Sequence, residues 1–243
     1  MSSTGEFPWT EAALANRLTA AVKAYWTGRS GQSKSQGKRG VRDAGTRGEV
    51  TGGQHLNEFL KILVEAAHSA GFREDEVRLN TGIELPGFFR PQKRWDMIVV
   101  RGNRLCATVE LKSQVGSFGN NFNNRSEEAI GTSTDFWTSF REGRLGKETP
   151  WLGYFFFLEL AEKSTRPVGL KPSLFPPFEI FHGTSYAQRY AILCERLVLE
   201  HKYTRTALTL SPRGKAGEFT EPNPQLGFHG FVKSFHGHLI GCR

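Results

Sequence analysis

Two acidic residues and a lysine, placed around a short turn, have the residue types and spacing for metal-assisted chemistry. Asp96 lies at the start of one apolar run, and Glu110 and Lys112 lie near the end of the next. Gly102-Asn103 separates the runs, and a Gly-Asn pair between two apolar segments predicts a β-hairpin. A hairpin brings the start of its first strand beside the end of its second, so we expect Asp96 to lie next to Glu110 and Lys112.

The alternation along the second strand assigns its polar and apolar residues to opposite faces. Glu110 and Lys112 are two positions apart and point to one face, whereas Val109 and Leu111 point to the other. This pattern predicts a half-buried strand with Val109 and Leu111 in the core. The backbone carbonyl of Leu111 lies between the two charged residues.

Paired carboxylates of this kind suit phosphodiester hydrolysis. Mg²⁺ prefers oxygen ligands, and Asp96, Glu110 and the Leu111 carbonyl would supply them. Such a cation neutralises a phosphate and lowers the pKa of an attacking water. Lys112 would orient or help to deprotonate that water, or stabilise the charge that develops around phosphorus. The same three side chains would equally form an ordinary ion pair across a surface hairpin, and spacing alone leaves both interpretations open.

Hydrophobic periodicity predicts the elements that must position these residues. Helices are predicted over residues 8–26, 54–70, 124–142 and 185–200 and from 225 onward, with a capping box at the start of the third. Strands are predicted over 76–79, 95–100, 105–112, 151–160 and 178–182, with a loop over 113–123. This mixture predicts an α/β (α+β) fold in which helices flank a mixed central sheet. We expect residues 1–243 to form one domain.

The chain is basic, with a formal net charge of +8 and a pI of about 9.6. This excess favours a polyanionic partner such as nucleic acid. Six basic residues but only two acidic ones fall in residues 27–53, which are rich in Gly and Ser and nearly devoid of apolar side chains. Such a segment buries too little surface to order itself. It is either a solvated linker or an arm that orders on a phosphate backbone.

Other features exclude several classes of protein. No apolar run approaches the roughly 20 residues of a membrane span, and no secretion signal is visible, so we expect a cytoplasmic protein. The cysteines form no Cys-x-x-Cys pair and are predicted to be reduced thiols, two of them in the core; they are Cys106, Cys194 and Cys242. Three histidines follow no metal-ligand pattern and are predicted to be surface or interface residues; they are His229, His236 and His238.

Two longer strings around the acidic residues resemble the XhoI family of type II restriction endonucleases. They are Arg90-Pro-Gln-Lys-Arg-Trp-Asp96 and Val109-Glu-Leu-Lys-Ser-Gln-Val-Gly-Ser-Phe-Gly-Asn-Asn-Phe-Asn-Asn-Arg-Ser-Glu-Glu-Ala-Ile-Gly131. Weaker similarity over 48–63 and 183–197 extends the resemblance to roughly residues 10–205. This family belongs to the PD-(D/E)xK nucleases. Asp96, Glu110 and Lys112 match that motif, although Trp95 rather than Pro precedes the Asp.

The resemblance implies a restriction-endonuclease-like core and a homodimer that acts on double-stranded DNA. It further implies cleavage of both strands of the palindrome CTCGAG, leaving 5′ overhangs. The carboxylate chemistry predicts Mg²⁺ as the cofactor. A repair or junction-resolving nuclease on the same fold and an inactive DNA-binding module are the alternatives. Some members of the superfamily add an acid from an upstream helix, for which Glu58 and Glu65 are candidates. Their position opposite an apolar stripe equally predicts solvated side chains.

Amide and basic side chains near the motif are candidates for contacting DNA. Asn can pair with adenine, and Arg with guanine, through two hydrogen bonds. The candidates for reading bases follow Lys112; they are Asn120, Asn121, Asn123, Asn124 and Arg125. Ser113 and Gln114 are candidates for contacting either bases or phosphates. The Asn residues would also suit turns and a helix cap. Arg90, Lys93 and Arg94 precede Asp96 and are candidates for holding phosphates.

Overall fold

The computed structural model of the protein describes residues 5–36, 55–214 and 217–242. Much of it is helical. The α-helices are α1 (Glu11–Gln36), α2 (Asn57–Ser69), α3 (Phe118–Arg141), α4 (Glu162–Thr165), α5 (Tyr186–Leu199) and α6 (Phe228–Gly241). Short 3₁₀ turns occur at Glu74–Glu76, Glu179–Phe181 and Pro224–Leu226. None of these helices has the length and apolar character needed to cross a membrane.

The β-strands of the described residues form a five-stranded sheet and a small separate hairpin. They are β1 (Val77–Arg78), β2 (Glu84–Pro86), β3 (Gln92–Arg94), β4 (Met97–Arg101), β5 (Arg104–Gln114), β6 (Trp151–Leu160) and β7 (Arg205–Pro212). The large sheet has the order β1-β4-β5-β6-β7, antiparallel from β1 to β5 and parallel from β5 to β7. Strands β2 and β3 form the hairpin. A mixed sheet flanked by helices confirms the predicted fold class.

Two hydrophobic cores lie on opposite faces of the large sheet. The α1 face is covered by α1, α2 and α6, and its core includes Val109 and Leu111 of β5. The α3 face is covered by α3 and α5, and its core includes Tyr154 and Phe156 of β6. Strand β6 is buried on both faces, which is typical of a strand between two parallel neighbours. Strand β5 is also covered on both faces, so the prediction of a half-buried strand was wrong.

Both N-terminal helices form where apolar periodicity predicts them. Leu14, Leu18 and Val22 of α1 are buried, and α2 ends just before Gly71, whose φ of 90° suits a residue that closes a helix. Helix α1 continues to Gln36. The prediction that composition prevents residues 27–53 from ordering was therefore wrong for residues 27–36, and residues 37–53 lie outside the described residues.

One strand prediction was wrong, and three strands were missed, namely β2, β3 and β7. Residues 179–181, inside the predicted strand over 178–182, form a 3₁₀ turn. The side chains of Phe178 and Ile180 are exposed, so this apolar run has no core to pack against. Strands β2 and β3 are only three residues long, too short for a clear pattern. Strand β7 pairs in parallel with β6 from Gly153↔Arg205 onward.

Helix α3 begins at Phe118 rather than at Asn124. The predicted loop over 113–123 and the predicted capping role of Asn124 were therefore wrong. Phe118 and Phe122 pack on aromatic rings of α5. This burial stabilises the first turns of the helix despite the low helix propensity of Asn.

The cysteines and the C-terminal histidines are more buried than predicted. All three cysteines are free and buried, instead of two. His236 is buried as well, which contradicts its predicted surface position. The ring of Phe7 packs edge-on against His229 and His236, and His238 Nε2 lies 3.0 Å from the Cys106 carbonyl oxygen. These side chains pack α6 against the N-terminus and the sheet.

Candidate active site

The hairpin of β4 and β5 places the Asp96 carboxylate against the backbone of β5. Asp96 immediately precedes β4, and the register Met97↔Val109 puts it beside Glu110. Its Oδ2 accepts a hydrogen bond of 2.7 Å from the Leu111 N–H. Since the amide and the carbonyl of one strand residue point to the same side, the Leu111 carbonyl is also directed to the side of Asp96. The oxygen-bearing groups identified from the sequence are therefore neighbours.

The Glu110 carboxylate is buried beneath α3, with only 2% of the residue exposed. Its Oε1 lies 3.1 Å from Lys93 Nζ and 3.2 Å from Lys112 Nζ. Its Oε2 lies 3.3 Å from the hydroxyl of Tyr203, which is also 3.2 Å from the Ala129 carbonyl of α3. Groups from three separate parts of the chain thus hold the carboxylate in one orientation.

The two acids differ in how their surroundings affect ionisation. Burial raises the pKa of Asp96 and the charge of Glu110 raises it further, while the Leu111 N–H and the two lysines oppose this. Burial would also raise the pKa of Glu110, but Lys93 and Lys112 outweigh burial and lower it. Glu110 is therefore a buried anion, and Asp96 is the acid whose ionised form a nearby cation would stabilise.

Lys112 is a cation in this arrangement. Burial would lower the pKa of Lys112, but the charges of Glu110 and Glu128 outweigh burial and raise it. Glu128 also pairs with Arg125 at 2.6 Å, one helical turn earlier. Helix α3 thus brings an acid and an arginine to the edge of the site.

The donor set of the site fits a hard divalent cation. Two carboxylates and a backbone carbonyl are the kinds of oxygen ligand that Mg²⁺ takes from proteins, where it usually keeps several waters. A cation beside Asp96 and Glu110 would also offset the burial and the repulsion from Glu110 that together raise the Asp96 pKa. Within the described ranges there is no group of three or more His, Cys, Asp and Glu side chains that could hold a metal ion. Any metal here would rest on the two acids.

Lys93 reaches Glu110 from the β2–β3 hairpin and not from the large sheet. Its Nζ lies 4.3 Å from the centre of the Trp95 ring, and Trp95 packs edge-on against Phe136 of α3. Trp95 occupies the position at which the nuclease motif has Pro, and it supports Lys93. The sequence predicted that Lys93 contacts a DNA phosphate. In the structure its ammonium forms an ion pair with the buried Glu110 carboxylate.

Arg90 and Arg94, the other candidates for phosphate contacts, have partners outside the pair of acids. Arg90 Nε donates to Asp135 Oδ2 of α3 at 2.7 Å, and Asp135 Oδ1 accepts hydrogen bonds from two backbone N–H groups at the tip of the β2–β3 hairpin. Arg94 donates to the Asn80 carbonyl at 2.6 Å. Asp135 therefore fastens the tip of this hairpin to α3.

Ser113 and Gln114, two candidates for contacting DNA, lie at the end of β5. Ser113 is half-buried and, at an even spacing from Leu111, lies on the α1 face. Gln114 is buried and donates to the Gly116 carbonyl at 2.5 Å. The Gln114 side chain therefore helps to hold the turn that leads into α3.

The Asn-rich string forms the first turns of α3, directly after the site. Asn120, Asn123 and Asn124 are exposed and, at helical spacing, lie on one side of the helix. Asn121 is half-buried and donates to the Ser117 carbonyl at 3.2 Å. Arg125 is half-buried beside Glu128. Three of the five candidates for reading bases thus face solvent together.

The structure does not bring Glu58 or Glu65 to the pair of acids. Both lie on α2, which covers the α1 face, while Glu110 lies on the α3 face. Glu58 pairs with Lys61 at 2.5 Å, and Glu65 pairs with Arg17 of α1 at 2.5 Å. The sheet separates these two surface ion pairs from Asp96 and Glu110.

Tyr203 and Glu128 surround the site but were not identified from the sequence. Tyr203 is 93 residues from Glu110 along the chain and belongs to no recognisable motif. Recognition of β7 would have indicated that the segment before it returns to the sheet near β5. Glu128 lies inside the string that carries the family resemblance, but its proximity to Lys112 depends on the early start of α3.

Comparisons with known proteins identify the family. A family model described as restriction endonuclease XhoI matches residues 35–221. The type II restriction enzyme BstVI of Geobacillus stearothermophilus is 42% identical over 207 residues, which cover 82% of this chain and 92% of that protein. The type II restriction enzyme XhoI of Xanthomonas vasicola is 42% identical over 195 residues, 79% of this chain and 78% of the relative.

A third relative, the type II restriction enzyme AbrI of Azospirillum brasilense, is 39% identical over 149 residues, 60% of this chain and 67% of that protein. No solved structure matches the chain. The family model spans most of the sequence, including the β4–β5 hairpin and α3, and the relatives share its enzyme class. This chain therefore belongs to the XhoI family of restriction endonucleases and is a type II site-specific deoxyribonuclease.

Proposed function

We propose that this enzyme uses Mg²⁺ to cleave both strands of duplex DNA at CTCGAG, leaving 5′ overhangs, with Asp96, Glu110 and Lys112 as its catalytic residues. One observation supports this assignment of the site. The Asp96 carboxylate accepts a hydrogen bond from the Leu111 N–H and lies beside the ion pair of Glu110 and Lys112. The target and the overhang follow from the family resemblance. The same resemblance leads us to propose action in the cytoplasm.

Asp96, Glu110 and the Leu111 carbonyl would hold the Mg²⁺ ion. When bound, the ion supplies charge neutralisation of the phosphate and a lowered pKa for the attacking water. Glu110 is suited to this because its carboxylate is ionised and held in one orientation. Asp96 is suited to bind the ion because a hydrogen bond from the backbone of β5 holds its Oδ2 in place.

Lys112 would stabilise negative charge that develops on the scissile phosphate. Its ammonium is kept charged by Glu110 and Glu128, so we favour electrostatic stabilisation or orientation of the water over abstraction of its proton. The rigid setting of β5, covered on both faces, keeps this group in place without a cost of reorganisation during the reaction.

Base recognition is proposed to lie in the first turns of α3. Asn120, Asn123 and Asn124 face solvent directly after the catalytic strand, and a helix of this kind fits the major groove. Asn121 and Arg125 are half-buried on the same segment and would need to turn outward to reach bases. Gln114 would act indirectly, by fixing the turn that precedes the helix, and the half-buried Ser113 would contact DNA from the end of β5.

Phosphate contacts are proposed for the basic residues near the β2–β3 hairpin, namely Arg90, Lys93 and Arg94, and for the basic segment over 27–53. The net charge of +8 supports an electrostatic contribution to binding. Each chain contains one set of catalytic residues, so two copies are needed to cut two strands at once. We therefore propose a homodimer, whose two-fold symmetry would match a palindromic target.

The deciding experiment is to digest a sequenced plasmid with the purified enzyme and Mg²⁺ and to map the ends. The proposal predicts discrete fragments with 5′ overhangs at CTCGAG. Discrete cutting elsewhere would retain the enzyme class but overturn the target. A smear, or preference for branched DNA, would favour a repair or junction-resolving nuclease. Binding of CTCGAG duplex without cutting would favour an inactive binding module.

A further inference from the structure

Two lysines share one oxygen of the buried Glu110 carboxylate. Lys112 belongs to the nuclease motif, but Lys93 comes from β3, in the small hairpin outside the large sheet. Lys93 Nζ is 3.1 Å from Glu110 Oε1 and also donates to the Arg94 carbonyl at 3.0 Å. Its side chain is only 16% exposed. This second lysine is not explained by the three catalytic residues alone.

A divalent cation and the Lys93 ammonium would compete for the same carboxylate. Glu110 Oε1 already has two ammonium neighbours, while Tyr203 approaches Oε2. A cation bound within a few ångströms of a lysine ammonium is repelled by it, and this repulsion is strong where water is excluded. Binding of a metal at Glu110 therefore favours a conformation in which Lys93 has moved away.

We infer that Lys93 occupies the place of the divalent cation on Glu110 in the DNA-free enzyme, and that a DNA phosphate draws it away. This inference rests on the proposed metal site at Asp96 and Glu110. Lys93 would thereby couple the two binding events: DNA removes the competing ammonium, and the cation then enters. By linkage, the cation must strengthen DNA binding by the same factor.

The position of Lys93 suits this exchange. Lysine carries its charge on a flexible four-carbon stem, which allows the ammonium to change partners while the backbone stays fixed. The backbone of the hairpin is fastened at its tip by Asp135 and supported beside Lys93 by Trp95. The movement that the inference requires is therefore a rotation of one side chain, not a displacement of the hairpin.

The test is the affinity of the DNA-free, full-length enzyme for Mn²⁺, measured by electron paramagnetic resonance. Lys93→Gln removes the competing charge and should tighten Mn²⁺ binding by about fivefold or more, the usual lower range for coupled sites. Lys93→Met, which keeps an unbranched side chain of similar length beside Trp95, should do the same and guards against a packing defect in either variant. Lys93→Arg keeps the charge and should bind Mn²⁺ as weakly as the wild type.

Lys61→Gln is the matched control, because Lys61 also pairs with a glutamate but on the surface of α2. It should leave Mn²⁺ affinity unchanged. With an uncleavable phosphorothioate duplex bound, the difference between wild type and Lys93→Gln should disappear. The salt dependence of DNA binding should fall by about one unit in the Lys93→Gln variant, as for the loss of one phosphate contact.

Unchanged or weaker Mn²⁺ binding in folded Lys93→Gln and Lys93→Met would overturn the inference. Glu110→Gln separates this failure from failure of the proposed function. If Glu110→Gln abolishes Mn²⁺ binding while the Lys93 variants have no effect, the metal site stands and only the role of Lys93 is wrong. If Mn²⁺ binding survives Glu110→Gln, the proposed metal site itself is wrong, and the inference fails with it.

Discussion

The two faces of strand β5 bury different kinds of side chain. On the α1 face, Val109 and Leu111 join a core filled by aromatic and aliphatic side chains from three helices. On the α3 face, Thr108 and Glu110 are equally buried but are held by hydrogen bonds and ion pairs. Adjacent residues of one strand thus serve two different cores.

This difference has an energetic consequence. Burial of apolar surface is favourable by itself, whereas a buried charge is tolerated only when partners replace its hydration. The partners of Glu110 come from β3, β5 and the segment before β7, so they hold the carboxylate in place for chemistry at some cost to stability. The α1 face would supply the stability that allows this. Substitutions on the two faces should therefore have separable effects.

The largest expected effect is loss of cleavage on replacing either of the two proposed catalytic acids. Asp96→Ala and Glu110→Ala should abolish cutting, because each removes a ligand of the proposed Mg²⁺ ion. DNA binding should persist when Ca²⁺ replaces Mg²⁺, as measured by electrophoretic mobility shift. Glu200→Gln, in an exposed ion pair with Arg196, should cut normally. Loss of binding in both acid variants, with the fold intact by circular dichroism, would contradict the roles assigned to Asp96 and Glu110.

On the α1 face the expected effect is on stability instead. Phe231 of α6 is fully buried and packs against Trp151 at 5.1 Å between ring centres. Phe231→Ala should lower the free energy of unfolding by about 3–5 kcal/mol, measured by urea denaturation. Cleavage per folded molecule should stay at the wild-type level. A folded variant that lost cleavage would show that the two faces are not separable.

Substitution of the exposed asparagines of α3 tests whether this helix also separates stability from DNA recognition. Ala is a better helix former than Asn, so Asn120→Ala and Asn124→Ala should leave the helix unharmed or stabilise it by about 0.5 kcal/mol. If they read bases, discrimination between CTCGAG and single-mismatch duplexes should fall by about 1–3 kcal/mol for each lost pairing. Asn16→Ala, on the exposed surface of α1, is the control. Unchanged discrimination in both α3 variants would move base recognition elsewhere.

The sequence predicted the geometry that depends on local pattern. The Gly102-Asn103 turn and the alternation along β5 were sufficient to bring Asp96 to Glu110. Contacts that depend on distant packing were not predictable, because nothing near Tyr203 indicates that its hydroxyl reaches a residue on another strand. The early start of α3 escaped prediction for a similar reason: Phe118 is stabilised by rings of α5, which lie far away in the chain.

Tyr203→Phe should have an intermediate effect that is confined to the α3 face. The substitution removes the hydroxyl beside Glu110 Oε2 without opening a cavity. We expect kcat to fall about tenfold, equivalent to about 1.4 kcal/mol, because one hydrogen bond to a charged group is lost. Tyr25→Phe is the control, because the Tyr25 hydroxyl is also buried but lies on the α1 face, away from Glu110. Equal loss of kcat in both variants would point to a general loss of stability rather than to positioning of Glu110.

The smallest expected effect is on the free energy of unfolding and concerns Asp135, which fastens the β2–β3 hairpin to α3. Burial alone would raise the pKa of Asp135, but the N–H groups of Phe89 and Phe88 and the Arg90 guanidinium outweigh burial and lower it. Because its pKa is lower in the folded than in the unfolded protein, the ionised carboxylate stabilises the fold at any pH above its unfolded-state pKa of about 3.9. This stabilisation is lost as the pH falls through the pKa of Asp135 in the folded protein.

Asp135→Asn should therefore cost about 1 kcal/mol near neutral pH, where the charge-assisted hydrogen bonds are made. The difference from wild type should stay constant down to about pH 5 and narrow below about pH 4, measured by urea denaturation across the pH range. Asp75→Asn, in an exposed pair with Arg73, should show no measurable difference, since exposed pairs contribute little. A gap between Asp135→Asn and wild type that is independent of pH would mean that shape, and not the charge of Asp135, anchors the hairpin that presents Lys93.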